Sequence, residues 1–501
     1  MFKKAPKTAA ALAILLLFYS CSVSKIFVAP DEWNKVAAAR SIIIQTSDGK
    51  QIELAQAWID AAKITGTAPD GTKKEIDIAS VQAVIIEESS GKFPYVLLGV
   101  LGVTAWLALG VAIAPSPPPT ESCPLVYSFD GERYVLEAEP YGAAVCRALK
   151  RSEWIGLNYL KNIDGQYQVR VANELNETEY TDEVKLLIVD HPPGVTAVPD
   201  AMGRIHAIAD PLPPLTARDK NGGDVRPLVA RTDGKFWKPC YETMEAEKAE
   251  DLRDELTLEF PKPEGARTVK LVANAWTTFW GSQVARSFLE LYGRSVGDFL
   301  QSVNSFGPEY RWILNWFMTE ELYLLKVQVE TASGWKAKSM IYGGGPFVAK
   351  DKAYLLDISD VPGDTLKIRL RPPEGFWWID SLAVDYTQDP PMQIMEAAPV
   401  RAADHNGQDV LGLLAANDGR FHIMPRRGEY ADVAFTAPPV PAGLSRSIIL
   451  KVSGYYDIHL NAKAEPQWDI LEKIHREPGF TLKFACQEYS KMARNEKRRR
   501  P

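Results

Sequence analysis

Cysteine and histidine are scarce in this chain of 501 residues, which holds five of the first and six of the second. Five cysteines exclude a disulfide-dense scaffold at this length. The histidines, His191, His206, His405, His422, His459 and His475, are dispersed with no HxH or HExxH, so each is expected to be solvated or at a core edge. Walker, GxGxxG and GxSxG motifs are missing, which removes the commonest phosphate, dinucleotide and acyl-transfer signatures. Positive charge is in deficit, 57 Lys and Arg against 64 Asp and Glu, and this excludes a generally basic nucleic-acid binder. What remains is 46% hydrophobic and 24% charged. That balance excludes a wholly disordered chain and a polytopic membrane protein. The length predicts about two to four domains. Thirteen Trp, 19 Tyr and 35 Pro fit a β-rich chain with many turns.

Long apolar runs number two. The first, Ala9 to Leu17, follows Lys3, Lys4 and Lys7 and precedes Phe18-Tyr19-Ser20-Cys21. A basic segment, a short apolar core and a small residue before a cysteine resemble a bacterial lipoprotein signal. Phe18 departs from the leucine usual there. The resemblance implies lipidation of Cys21; the competing reading is an uncleaved anchor. The second run, Tyr95 to Ala114, has 20 residues, no charge, and Pro94 and Pro115 at its ends. It matches a bilayer core of roughly 30 Å and is read as a transmembrane helix over 94–114, with a buried core helix as the alternative. A Pro-rich linker follows over 115–122. A lipidated Cys21 followed by one span places the rest of the chain in the cytoplasm. Lys92 before the span, with no Lys or Arg from Pro115 to Glu132, points the other way. The hairpin-rich character of the bulk favours an extracytoplasmic location.

Residues 31–92 read as a small β domain. Asp48-Gly49 and Asp70-Gly71 stand between short apolar runs, the pattern of tight hairpins.

Sliding the chain against itself reveals a duplication. Residues 214–236 and 399–421 align without a gap, and 12 of 23 positions are identical, including Asp219/Asp404, Asn221/Asn406, Asp224/Asp409 and Phe236/Phe421. The match extends to Tyr141-Gly142 with Tyr342-Gly343, Val169–Val171 with Ile368–Leu370, Leu187–Asp190 with Leu382–Asp385, and Thr268–Leu271 with Ser447–Leu450. Strict alternation and frequent turns predict two antiparallel β-sandwich or jelly-roll-like copies, over 123–275 and 322–460. Between them lies a helical aromatic insert over 276–321. Its apolar residues recur at three and four from Ser282 to Val303, Gly307-Pro308 breaks the pattern, and Tyr310 to Phe317 is a second apolar segment. This predicts a helical pair packed on the sandwich edge or facing a partner or bilayer. Residues 461–501 are a C-terminal helix and a basic tail, read as solvated.

Four features bear on chemistry. The repeated Asp-x-Asn-Gly-x-Asp places oxygen donors at alternating positions, as calcium loops do: Asp219, Asn221 and Asp224, then Asp404, Asn406 and Asp409. It lacks a distal Glu, and Asn-Gly is also a hairpin turn, which is the preferred reading. Glu137 and Glu139 share a strand face and are expected to be solvated. Trp377, Trp378 and Glu374 would form a glycan site if they lined one cleft. Outside the cytoplasm, Cys123 with Cys146 is the natural disulfide candidate, although spacing fixes no connectivity.

The stretch from Cys123 to Gly131, CPLVYSFDG, placed after a small β segment, resembles bacterial cell-envelope lipoproteins with no established activity. The resemblance covers residues 21–460 and implies a location rather than a mechanism. The expectation is a mainly β, non-enzymatic, membrane-anchored envelope lipoprotein. It would bind or scaffold an envelope protein or glycan, with membrane lipid as its other partner and no nucleic acid. The alternative is an envelope glycan-binding protein or glycoside hydrolase. No cofactor is expected beyond the calcium reading.

Overall fold

The computed structural model describes residues 23–28, 41–46, 51–59, 63–68, 70–77, 81–89, 124–237, 252–460 and 462–488. Among the described residues strand outweighs helix by 45% to 17%, and the sheets are antiparallel, as the alternating apolar pattern predicts. Among the described residues no helix is long and apolar enough to cross a membrane. Cys21 and the run from Tyr95 to Ala114 lie outside them. The chain divides into two compact units at residue 117.

The described residues of the first unit form a six-stranded antiparallel sheet. Ile42, Ile44, Leu54, Ile64 and Ile76 form its buried row. The domain starts earlier than expected, because Val23–Val28 pairs with Val81–Ser89. Asp70-Gly71 is a tight turn with Gly71 at φ +83°, closed by Ala68 N–H donating to Thr72 O at 2.8 Å.

The second unit carries the duplication, and its strands are exchanged. One five-stranded sheet runs Arg401–Asp404, Tyr430–Thr436, Gln166–Ala172, Leu125–Phe129, Tyr134–Ala138. The other runs Thr216–Asp219, Leu256–Pro261, Thr365–Leu370, Leu324–Thr331, Gly334–Tyr342. The first joins three strands of copy one to two of copy two, and the second reverses the origins. The remaining long strands are mixed alike. Glu177–His191 of copy one pairs with Ser445–Ile458 of copy two, and Trp377–Asp385 of copy two pairs with Thr268–Thr277 of copy one. The sequence copies 123–275 and 322–460 are therefore not two separate sandwiches. Each sandwich unites the leading half of one copy with the trailing half of the other. Equivalent halves present equivalent apolar rows, so either partner satisfies them, and the segments 192–213 and 387–398 carry the chain across.

Irregularities repeat as faithfully as strands. Register shifts fall between Val126 and Tyr127 and between Val327 and Gln328, one equivalent place. They fall again at Thr181/Glu183 and opposite Asn274/Ala275, leaving Asp182 and Asp380 as matching bulge residues. This register corrects one sequence pairing. Leu271 faces Val384 while Leu450 faces Leu186, so Leu382–Asp385 corresponds to Val184–Leu187, three residues before the stretch the sequence suggested. Leu and Ile repeats in both strands hide such a slip.

Val126, Val169, Leu186, Val433 and Leu450 of one sandwich and Leu258, Leu271, Val329, Ile368 and Leu382 of the other belong to a single core. Full burial of each such side chain contributes about 1.5–3 kcal/mol.

The insert folds as α1 (Phe279–Glu290), α2 (Val296–Asn304) and α3 (Pro308–Glu320). The Thr278 hydroxyl caps α1 by accepting from Gly281 N–H at 3.1 Å. The single helix expected over 282–303 is broken at Gly293, whose φ is +47° and where a Cβ would overlap the Ala464 carbonyl. Phe288, Phe299, Val303 and Trp316 are buried, as the packing reading predicts. A fourth helix, α4 (Trp468–Arg476), buries Leu471 and Ile474, and the chain is helical again over 480–488.

Candidate functional site

The repeated Asx-Gly loops are turns in both copies. Asp219 Oδ1 accepts from the N–H groups of Asn221 and Gly223 at 2.9 and 2.8 Å. Asp404 Oδ1 accepts from those of Asn406 and Gln408 at the same two distances. Asp224 and Asp409 accept from Arg226 N–H and Leu411 N–H at 3.0 and 2.9 Å, opening two one-turn helices. Asn221 and Asn406 are exposed. The aspartates thus serve the backbone. Among the described residues no group of three or more His, Cys, Asp or Glu could hold a metal ion.

Trp377, Trp378 and Glu374 do not line one cleft. Trp377 is fully buried and donates its indole N–H to Glu321 O at 3.2 Å. Trp378, next along the strand, points to the opposite face. There it joins Phe236 at 5.0 Å and Trp276 at 5.6 Å. That trio repeats in the other sandwich as Phe421, Tyr180 and Tyr455, so it belongs to the scaffold. Glu374 is ion-paired with Lys220. Cys146 is buried, and burial pushes its thiol up to about 11, which makes it a poor nucleophile. Cys123 lies outside the described residues.

Glu137 and Glu139 are buried, contrary to expectation. They sit where the two sandwiches meet. Glu137 accepts from Tyr159 N–H at 3.1 Å and pairs with Lys350 of copy two at 3.0 Å. Glu139 accepts from Phe347 N–H at 2.7 Å. A Cβ on Gly345 would overlap the Glu139 carboxylate, which explains a glycine there. Glu153 pairs with Arg151 at 2.6 Å and Lys352 at 3.7 Å. Burial pushes Glu153 up, but Lys352 and Arg151 more than offset this and hold it below the usual range. Burial lifts Glu139 well above that range, and Glu153 adds to it. The space left is about 30 Å³, room for one or two waters. The seam joins the sandwiches and is too small for a substrate.

Two further carboxylates extend this acidic row inward. Glu177 and Glu179 are wholly buried, and their oxygens have no hydrogen-bond partner. Burial, and then the neighbouring carboxylates Glu139 for the first and Glu177 for the second, lift both well above the glutamate range. Equivalent positions in the other sandwich are Gly375 and Trp377. Simple alternation from Val184, Leu186 and Ile188 assigns Glu177, Glu179 and Thr181 to the polar face. The bulge at Asp182 turns them inward, so sequence alternation alone did not reveal their burial.

The open site lies on the helical side. A groove of about 610 Å³ separates α2 and α3 from α4. Tyr292 stacks on Phe299 at 4.2 Å, and Trp468, 57% exposed, stands edge-on to Tyr292 at 6.4 Å. Asp298, Glu309 and Glu472 supply carboxylates. His475 stacks on Trp312 at 3.8 Å, and its Nε2 lies 2.9 Å from Tyr292 Oη. Burial holds His475 below its usual range. Sequence periodicity located these helices but not their open side, because α4 comes from a distant part of the chain. No protein-family model and no curated protein matches this chain.

Proposed function

We propose that this chain is a membrane-anchored binding and scaffolding protein of the bacterial cell envelope, without catalytic activity. The observation that carries the reading is the exchanged build of the second unit. Strand exchange makes the two halves one body, a suitable mount for the groove between the insert and α4. The anchor rests on the signal-like segment ending at Cys21 and on the apolar run from Tyr95 to Ala114. In this reading residues 120–501 lie outside the cytoplasm.

Single cysteines near Asp31 and at the exposed Asn221, in a chain otherwise lacking cysteine except Cys21, test the arrangement. An impermeant maleimide should label position 221 in spheroplasts without lysis, and the protein should sediment with membranes. Labelling only after lysis would overturn the extracytoplasmic placement, and recovery in the soluble fraction would overturn the anchor.

A further inference from the structure

We propose that the groove between α2, α3 and α4 binds an organic cation, an alkylammonium or guanidinium group. The inference rests on the binding reading above and names the chemistry of its site. Its volume of about 610 Å³ falls within the roughly 300–1,000 Å³ typical of ligand sites. Trp468 stands at 89° to Tyr292, which is itself buried and stacked on Phe299, so Tyr292 fixes the corner and Trp468 supplies its accessible face. Trp468 is left more than half exposed by its own chain, so one indole face is open to a ligand in the groove. Aromatic faces carry the negative end of the ring quadrupole and attract cations.

The charges around the corner agree. Asp298, Glu309 and Glu472 face one guanidinium, Arg476, which is tied to Glu472 at 2.8 Å. Helix N-termini commonly attract anions. Here Asp298 and Glu309 occupy the first turns of α2 and α3, so those positive ends are already answered from within. An anionic ligand would meet the carboxylates. A cation finds both an aromatic face and a countercharge.

Calorimetric titration of the full chain with choline chloride tests this, with 3,3-dimethylbutan-1-ol as its uncharged isostere and a chitooligosaccharide as the saccharide control. Choline should bind one to one and at least tenfold tighter than the isostere. Trp468→Ala, at an exposed position, should weaken choline at least tenfold while leaving the melting temperature unchanged. Glu472→Gln should weaken it several-fold. Choline binding that is matched by the isostere, or untouched by Trp468→Ala, would overturn the proposal. Saccharide binding without choline binding would overturn the ligand class and leave the binding reading standing. Absence of all three would overturn the organic-cation proposal and leave the anchoring and scaffolding reading to its own test. A chain ending at Ser490 separates two sources of the same chemistry. Tighter choline binding after truncation assigns the groove to the chain's own basic segment 491–500, and unchanged binding assigns it to an external amine.

Discussion

Trp377 and Glu179 occupy the same place in two related sandwiches. Trp377 faces Thr277 across one strand pair, Glu179 faces Tyr456 across the other, and both side chains are wholly buried. One frame therefore encloses an indole with a satisfied N–H in one half and a carboxyl with no partner in the other. The duplicated scaffold tolerates this because core position is set by the strand pairing and the bulge, both of which are shared.

The unpartnered carboxyls make stability depend on pH in a stated direction. The folded-state value of Glu179 lies above its ordinary 4.5. Its contribution is thus fully present below that value and is lost as pH rises through the folded-state value. Glu179→Gln should match the wild type at pH 4.5. At pH 8 it should be more stable by about 1–3 kcal/mol. Thermal melts across that range check this, and parallel curves for the two proteins would contradict it.

The inter-copy ion pair should respond asymmetrically. Glu137 is fully buried and Lys350 is 13% exposed in its side chain. Lys350→Met leaves the carboxylate without its cation and should cost about 3–5 kcal/mol. Adding Glu137→Gln should recover much of that loss. Urea unfolding of both single variants and the double variant measures the coupling.

Two adjacent glycines should behave differently. A Cβ at Gly345 would overlap Glu139, whereas at Gly344 the nearest atom, Glu139 O, is 3.9 Å away. Gly345→Ala should cost about 1–3 kcal/mol as an overpacked site, and Gly344→Ala should be nearly neutral. Equal denaturation midpoints would count against the seam geometry.

The Asx turns should be indifferent to calcium. Asp219→Ala removes two backbone hydrogen bonds and should cost about 1 kcal/mol. Millimolar Ca²⁺ should leave the melting temperature of the wild type unmoved. A calcium-dependent rise would restore the loops as cation sites, since a ligand bound only by the folded state raises stability.

Much of this architecture could be read from residues alone. The pairing of Asp219 with Asp404 and of Phe236 with Phe421 marked the duplication, and alternation marked the strands. Strand exchange could not be read, because equivalent halves offer the same apolar rows and sequence gives no preference between partners. The burial of Glu137 and Glu139 was hidden for a related reason. Alternation shows that two side chains share a face, but the face is covered by Phe347 and Lys350, about two hundred residues away in the chain. Tyr292 and Trp468 likewise meet only through tertiary structure.

The exchanged strands also set a timetable for synthesis. Residue 179 is made 277 positions before its partner at 456. At about 5–20 residues per second, the strand Glu177–His191 waits roughly a quarter of a minute to a minute with an open edge. An apolar strand in that state would recruit neighbouring nascent chains. Glu177, Glu179 and Glu183 keep this one charged until Ser445–Ile458 arrives. Glu177 and Glu179, unpartnered in the finished protein, thus carry charge on the unfinished strand.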